Sequence, residues 1–138
     1  MMFADDDPGL KELRELVAGL PGTAEVIAWG RPTFRAGLTN KKIFAWYGGG
    51  VKTADGRRSH PHSLIVLPDP TDRQALTEDG RFFFPAYLGP RGWLGLDLTA
   101  APVDWTEVAE LLEDSYRQVV PKRLIAELEL RRGSSDRG

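Results

Sequence analysis

The first part of the chain carries apolar residues at helical spacing. Leu10, Leu13, Val17 and Leu20 recur every three or four positions, which places them on one face of a helix. Asp7-Pro8 precedes this stripe, and Asp can accept the free N–H groups of a first helical turn while Pro needs no hydrogen bond there. The pattern predicts a helix that starts at Asp7-Pro8 and ends at Pro21-Gly22.

After residue 32 the pattern changes to short runs rich in aromatic and β-branched residues. Residues 33–36, 42–47 and 63–67 are such runs, and they predict three antiparallel strands. Residues 48–62 open with three glycines and are mainly polar, so they predict a long mobile loop. Residues 93–98 form a further strand, in which the three leucines at even positions face the core.

Alternation within the second predicted strand assigns side chains to two faces of the sheet. One face receives Ile43, Ala45 and Tyr47, and the other receives Lys42, Phe44 and Trp46. Both faces therefore carry apolar bulk. If helices cover one of them, Trp46 and Trp93 are expected with Arg35 on the uncovered face.

The second half of the chain predicts three more helices. Residues 72–79 fit a short helix that turns Leu76 inward. Residues 105–120 fit the clearest helix, because Asp104 and Glu107 have capping-box spacing. Pro121 opens a last short helix, and residues 133–138 form a polar, flexible tail with nothing to bury.

Helices that flank a run of strands indicate the α+β class, with one antiparallel sheet packed on helices. The chain has 138 residues, which is the size of one domain with one core. Residues 1–132 are predicted to form that single domain.

Composition removes several classes of function. The chain has no cysteine, which excludes disulfides, thiolate metal sites and thiol catalysis. Three acidic residues follow the N-terminus, where a signal peptide would need a basic and then an apolar region. No apolar run approaches a membrane span. We therefore expect a cytoplasmic protein without a membrane association, and no motif indicates a cofactor or a catalytic metal.

Charge is distributed unevenly, although the net charge is only -2. Residues 31–58 contain seven basic residues against one acid, whereas residues 104–130 contain seven acids against three bases. Such polarity can orient an anionic partner, while the low net charge argues against indiscriminate nucleic-acid binding.

Basic and aromatic residues together form the first candidate site. Cations can contact phosphates while exposed rings stack on bases. A solvated hairpin beside ordinary core aromatics explains the same composition. The set comprises Arg31, Arg35, Lys52, Arg57, Arg58, Arg91, Trp46, Tyr87 and Trp93.

His60-Pro61-His62 forms the second candidate site. An extended backbone would point both imidazoles the same way, and Asp55 or Asp69 could complete a metal or phosphate site. Two histidines are too few to specify a metal, so they are equally consistent with surface residues that enter a strand.

The chain also shows a family resemblance, carried by short motifs in order along most of its length. It resembles the MmcQ/YjbR family. The resemblance implies a small domain of frataxin-like, two-layer α+β architecture and supplies no catalytic residues. The family is often described as DNA-binding, which implies DNA as a partner. The motifs are Leu20-Pro21-Gly22, Trp29-Gly30-Arg31-Pro32-Thr33-Phe34-Arg35, Lys42-Ile43-Phe44-Ala45, Pro85-Ala86-Tyr87-Leu88-Gly89, Gly92-Trp93, Ser115-Tyr116 and Pro121-Lys122-Arg123-Leu124.

Three hypotheses of function follow. The first is a non-enzymatic binding module that engages DNA or another anion through the sheet face and residues 48–62. The second is a small-ligand or phosphate-binding protein or an enzyme, centred on His60, His62, Tyr87 and Arg91. The third is an adaptor that recognises a protein through exposed aromatics such as Trp29 or Trp93.

Overall fold

The computed structural model describes residues 3–53, 56–100 and 102–137. Their helices are α1 (Leu10–Ala18), α2 (Pro70–Glu78), α3 (Trp105–Val119) and α4 (Lys122–Arg137), with a short 3-10 helix at Gly89–Arg91. Their strands are β1 (Thr23–Ala28), β2 (Arg31–Ala36), β3 (Lys42–Thr53), β4 (Gly56–Val66), β5 (Phe82–Phe83) and β6 (Leu94–Asp97).

The strands form one antiparallel sheet in the order β1-β2-β3-β4-β6-β5. The predicted α+β class with a single antiparallel sheet is confirmed. Two strands were not predicted. β1 is a sheet edge that leaves Val26 and Ile27 exposed, and β5 has only two residues, so neither shows the alternation of a half-buried strand.

One sheet face packs on α1, α3 and α4 and holds the main core. Leu13 of α1, Leu112 of α3 and Leu128 of α4 are buried in one cluster with Phe34 of β2 and Leu64 of β4. The predicted apolar stripe of α1 is buried as expected. The leucines of β6 are buried as predicted as well.

The opposite sheet face, called the outer face here, is defined by one row of paired residues. Directly paired residues of adjacent strands point to the same side of a sheet. The row runs across all six strands of the described sheet as Val26, Thr33, Trp46, Ile65, Gly95 and Phe83.

The predicted faces of β3 are wrong for Ile43 and Phe44. The pairing of β2 with β3 shifts register beside Phe34, so Ala45 pairs with Phe34 and Ile43 with Arg35. Phe44 is the extra residue of this bulge, and its ring meets Tyr116 of α3 edge-on at 5.6 Å. A bulge reverses the alternation that a straight strand would follow, so Phe44 joins Ala45 on the helix-covered face.

The predicted mobile loop at residues 48–62 is also wrong. Residues 48–53 belong to β3 and residues 56–62 to β4, and these form a hairpin in which Lys52 pairs with Arg57. Two glycines of this hairpin occupy positions of the sheet where a side chain would not fit or would be strained. Gly48 has φ 88°, which favours glycine, at a second register shift. A side chain on Gly49 would collide with Ile65.

The helix starts agree with the sequence only in part. Asp104 caps α3 by accepting from the N–H groups of Thr106 and Glu107 at 3.0 and 3.3 Å. The predicted start of α1 is wrong, because Gly9 (φ 80°) is its N-cap and the Asp7 carboxylate accepts from the Ala4 N–H instead.

α2 begins at Pro70, and α4 continues to Arg137 rather than ending as a short helix. Within the described ranges, no helix combines the length and apolarity needed to cross a bilayer.

Candidate functional site

A tight turn at the tip of the β1–β2 hairpin displays Trp29. Ala28 pairs with Arg31, so the loop contains only Trp29 and Gly30, at φ 53° and 74°. Two positive φ angles are the signature of a type I′ turn, whose first position usually holds Asn, Asp or Gly. A left-handed conformation costs a tryptophan on the order of 1–2 kcal/mol. The turn therefore stores strain at Trp29.

The ring of Trp29 lies against Trp46 on the outer face. Their centroids are 5.2 Å apart and their planes are tilted by 31°. Trp29 is still 73% exposed, so the pair covers one side of this indole and leaves the other side accessible. Trp46 sits between Thr33 and Ile65 in the sheet. The result is an exposed ring above a fixed one.

Arginines of β2 share the outer face with this pair. Arg31, Thr33 and Arg35 are every second residue of β2 and therefore lie on the same face of the sheet. Thr33 pairs with Trp46. Arg35 Nε donates to Thr33 Oγ1 at 3.2 Å, and that hydroxyl donates to the Val26 carbonyl at 2.6 Å. The Arg31 side chain lies against Gly48. These contacts fix the two arginine side chains along β2, the strand whose Thr33 pairs with Trp46.

Tyr87 resembles Trp29 in conformation and exposure. Among the described non-glycine residues, only these two have a positive φ, which is 68° at Tyr87, and both are 73% exposed. The connection that carries Tyr87 leaves β5 and reaches back to β3, because the Ala86 N–H donates to the Gly50 carbonyl at 2.8 Å. Tyr87 is therefore anchored beside the part of β3 that extends past β2.

His60 is held by a carboxylate and an aromatic ring. Its Nδ1 is 3.0 Å from Asp97 Oδ2, and its ring stacks on Phe83 at 4.2 Å with planes 14° apart. The other oxygen of Asp97 accepts from the N–H and hydroxyl of Thr99 at 2.8 and 2.6 Å. Burial of Asp97 disfavours its charged form, but the hydrogen bonds from Thr99 and His60 outweigh it and lower the pKa of this carboxyl.

His62 has different neighbours. Its Nδ1 is 3.2 Å from Tyr47 Oη and 3.9 Å from Asp7 Oδ2. Tyr47 Oη donates to the Pro8 carbonyl at 2.5 Å. Burial, with the nearby Asp7 and Asp97 charges, raises the pKa of this phenol.

The expectation that both imidazoles point into one site does not hold. His60 contacts Asp97 and Phe83, whereas His62 contacts Tyr47 and Asp7. The second register shift explains this, because residues 61–63 of β4 lie opposite Gly48 alone.

Of the two carboxylates proposed to complete a metal site with these histidines, only Asp69 is described, and it serves as a helix cap instead. Asp69 caps α2 through the Thr71 N–H at 2.9 Å, and Asp55 lies outside the described residues. Across residues 3–53, 56–100 and 102–137, no group of three or more histidines and carboxylates is placed to hold a metal ion.

The comparisons with known proteins agree with this architecture. The YjbR family model matches residues 18–118. The chain belongs to the YjbR family. Its fold is similar to that of the Deinococcus radiodurans protein DR2400, which has a DUF419 domain, with a TM-score of 0.64 and 21% identity over 88% of each chain. A Pseudomonas syringae protein is similar with a TM-score of 0.55 and 16% identity over 76% of this chain and 93% of its own. No curated protein is significantly similar.

In this YjbR domain, part of the predicted cationic set comes together on the outer face. Trp46 pairs there with Thr33, and Arg31 and Arg35 lie two residues to either side of Thr33 on β2. Arg58 is exposed on β4, two residues before His60. Lys52 and Arg57 pair through their backbones, and their side chains lie outside the described part of the chain.

The remaining predicted residues lie on the connection from β5 to β6. Arg91 is exposed in the 3-10 helix and Trp93 is half-buried. The guanidinium of Arg73 donates to the Gly89 carbonyl at 3.2 Å and so ties this connection to α2.

Sequence reasoning missed two features of the site. It named Trp29 as an adaptor residue and as part of a family motif, but it did not predict β1, whose two-residue spacing from β2 places Trp29-Gly30 in a hairpin turn. It also missed Asp97 as the partner of His60, for which no sequence signal exists because these residues are 37 positions apart.

Proposed function

We propose that this YjbR-family protein is a binding module for single-stranded nucleic acid. Its binding surface is the outer face around Trp29, Trp46, Arg31, Arg35 and Tyr87. The observation that carries the proposal is the conformation of Trp29, which is exposed, strained and stacked on a second tryptophan.

The strain at Trp29 favours a functional explanation over a structural one. Asn or Gly would form the same type I′ turn without the conformational cost. A ring that is 73% exposed also recovers little free energy from burial. Strained residues of this kind concentrate at binding sites, and an exposed indole is a good surface for stacking a base.

Electrostatics separate the two sides of the sheet. On the helix side, Arg14, Arg117 and Arg132 form ion pairs with glutamates. On the outer face, Arg35 donates to a neutral hydroxyl and retains its charge for an anion. The outer face is therefore the better surface for phosphate groups.

Single strands fit this surface better than duplex DNA. Bases in a duplex already stack on each other, whereas an unpaired base offers its face to an aromatic side chain. Duplex readers usually insert a helix or a β-ribbon into a groove. The candidate surface presents exposed rings at the β1–β2 turn and at the connection that carries Tyr87, and such rings stack on unpaired bases.

Fluorescence anisotropy with a labelled oligothymidylate of about 15 nucleotides tests the proposal, with a duplex of equal length for comparison. We expect Trp29→Ala to weaken single-strand binding by about 1–3 kcal/mol, since this is the contribution of one base–aromatic stack. Leu130→Ala is the matched control, because Leu130 is 72% exposed on α4.

A salt series tests the charges. Arg35→Gln should reduce the slope of log affinity against log salt by about 0.7 if Arg35 contacts one phosphate of a single strand. Arg123→Gln removes an exposed cation of α4 and should leave the slope unchanged. Absence of oligonucleotide binding at low salt would refute the proposed function and favour a protein adaptor that uses Trp29.

A small-ligand centre at His60 and His62 has less support. That function needs both imidazoles in one site with Tyr87 and Arg91. The side-chain contacts of the two histidines differ, with Asp97 and Phe83 on His60 and with Tyr47 and Asp7 on His62.

A further inference from the structure

The indole N–H of Trp46 is an unpaired donor. The Nε1 atom is buried and has no hydrogen-bond partner within the described residues. Buried polar groups in folded proteins are nearly always hydrogen-bonded, and each exception calls for an explanation. Trp46 lies in the row of residues that defines the outer face, so a donor at this position belongs to the proposed binding surface.

Trp29 does not satisfy this donor. An indole N–H lies in the plane of its own ring, and the two ring planes differ by only 31°. The N–H of Trp46 therefore cannot point at the face of Trp29 as it would in a perpendicular pair. The two rings instead form a shallow wedge.

Trp29 is the ring that is free to move. It is mostly exposed and stands on a two-residue turn, whereas Trp46 is flanked by paired strands on both sides. A planar ring stacked between two others needs about 3.5 Å on each side, or about 7 Å in all. Starting from 5.2 Å, Trp29 would have to move outward by about 2 Å.

We infer that Trp29 and Trp46 form a clamp that takes one unpaired nucleobase between their rings. Because the Nε1–H of Trp46 lies in the plane of its own ring, it does not reach the stacked base and donates instead to a sugar or phosphate oxygen of the same nucleotide at the ring edge, once Trp29 has moved. This inference rests on the proposed function and adds to it an inserted base and a named donor. Arg31 and Arg35, on the same face of β2, are placed to meet the phosphates of the bound strand.

Indole resonances in a proton–nitrogen NMR spectrum test the clamp directly. The protein has four tryptophans, and Trp→Phe variants assign each indole signal. On addition of the oligothymidylate, we expect the Trp46 N–H to shift downfield as it gains an acceptor. The Trp105 signal, at the start of α3, is the internal control and should stay in place.

Binding variants separate the ring from its donor. Trp46→Phe keeps an aromatic ring but removes the N–H, and we expect single-strand binding to weaken roughly fivefold, as for the loss of one hydrogen bond. Trp29→Phe should bind within about threefold of wild type, because a ring remains to stack. Trp105→Phe is the matched control and should bind normally, and circular dichroism verifies that each variant is folded.

The outcomes distinguish the inference from the function on which it rests. A strand that binds with a stationary Trp46 signal and an unaffected Trp46→Phe variant would overturn the clamp. Stacking on the outer side of Trp29 would then account for the proposed function. An oligomer of abasic sugar-phosphate that binds as well as oligothymidylate would also overturn the clamp. Failure of every oligonucleotide to bind would overturn both.

Discussion

Alanine at Gly95 should destabilise the protein by displacing the ring of Phe83. Gly95 lies on β6 in the row that defines the outer face, and it pairs with Phe83 of the edge strand. A methyl group on Gly95 would come within 2.6 Å of three atoms of the Phe83 ring. Because carbon atoms pack at about 3.5–4.0 Å, the ring would have to retreat by roughly 1 Å.

The stacking of Phe83 on His60 restricts that retreat. His60 stacks on Phe83 at 4.2 Å, and its Nδ1 is held 3.0 Å from Asp97. The clash must therefore separate β5 from β6 or push His60 from its carboxylate. Overpacking of this kind costs typically about 1–3 kcal/mol, and we expect Gly95→Ala to lower the free energy of unfolding by that amount.

Urea unfolding measured by circular dichroism checks this value. The matched control is Gly80→Ala, because a side chain at Gly80 meets no atom within 4 Å and should change stability by no more than about 0.5 kcal/mol. The double variant Gly95→Ala, Phe83→Leu should be less destabilised than the sum of its single variants, since a smaller side chain removes the clash. A Gly95→Ala protein as stable as wild type would refute the packing described for Phe83.

Three further predictions concern the core, the His60 site and a helix end. Ser115→Ala should cost about 1–3 kcal/mol in urea unfolding, because it leaves the Leu67 N–H, now 2.9 Å from Ser115 Oγ, without its acceptor. Asp97 has a lowered pKa in the folded state, so its stabilising contribution is complete above the ordinary carboxyl pKa and is lost as pH falls through the folded value. The stability difference between wild type and Asp97→Asn should therefore shrink on acidification, and a constant difference would contradict this assignment. Asp104→Ala should destabilise the protein by about 0.5–2 kcal/mol through loss of the α3 cap, and thermal unfolding measures the loss.

The sequence predicted the helices and the strands that have strong local patterns. α3 combines a capping aspartate with a long apolar face, and its boundaries came within one residue. The stripe of α1 was also correct, yet its start was not. The Asp7 side chain bonds to the Ala4 N–H, and the chain enters the helix through Gly9, where a side chain would collide with Leu98. That contact joins residues far apart in sequence, and no local signal encodes it.

The sheet differs from the prediction at the two places where the register between neighbouring strands shifts. Phe44 changed faces because β3 bulges against β2. Gly48 and Gly49 suggested a loop, since glycine is common in turns. In the structure, Gly48 adopts a positive φ at a register shift, and Gly49 lies under the side chain of Ile65. Both roles depend on the neighbouring strand.

The sequence predicted which residue types form the candidate site, but it did not predict how those residues are arranged on the sheet. Arg31, Arg35 and Trp46 were chosen from the sequence, and they share the outer face of β2 and β3. The separation of His60 from His62 depends on the same register shift at Gly48. The sequence can therefore identify cationic and aromatic residues as candidates for binding, while strand pairing determines which of them share a surface.

Glycines give the outer face its distinctive construction. On the helix-covered face, side chains from α1, α3 and α4 fill the space above the sheet. On the outer face, Phe83 lies directly on the backbone at Gly95, and Ile65 lies on the backbone at Gly49 and is only 2% exposed. This thin layer supports Trp46 at the level of the sheet, while the β1–β2 turn raises Trp29 above it. A base-binding clamp requires one fixed ring, here Trp46 in the sheet, and one movable ring, here Trp29. The ligand then displaces only the Trp29 side chain and leaves the sheet intact.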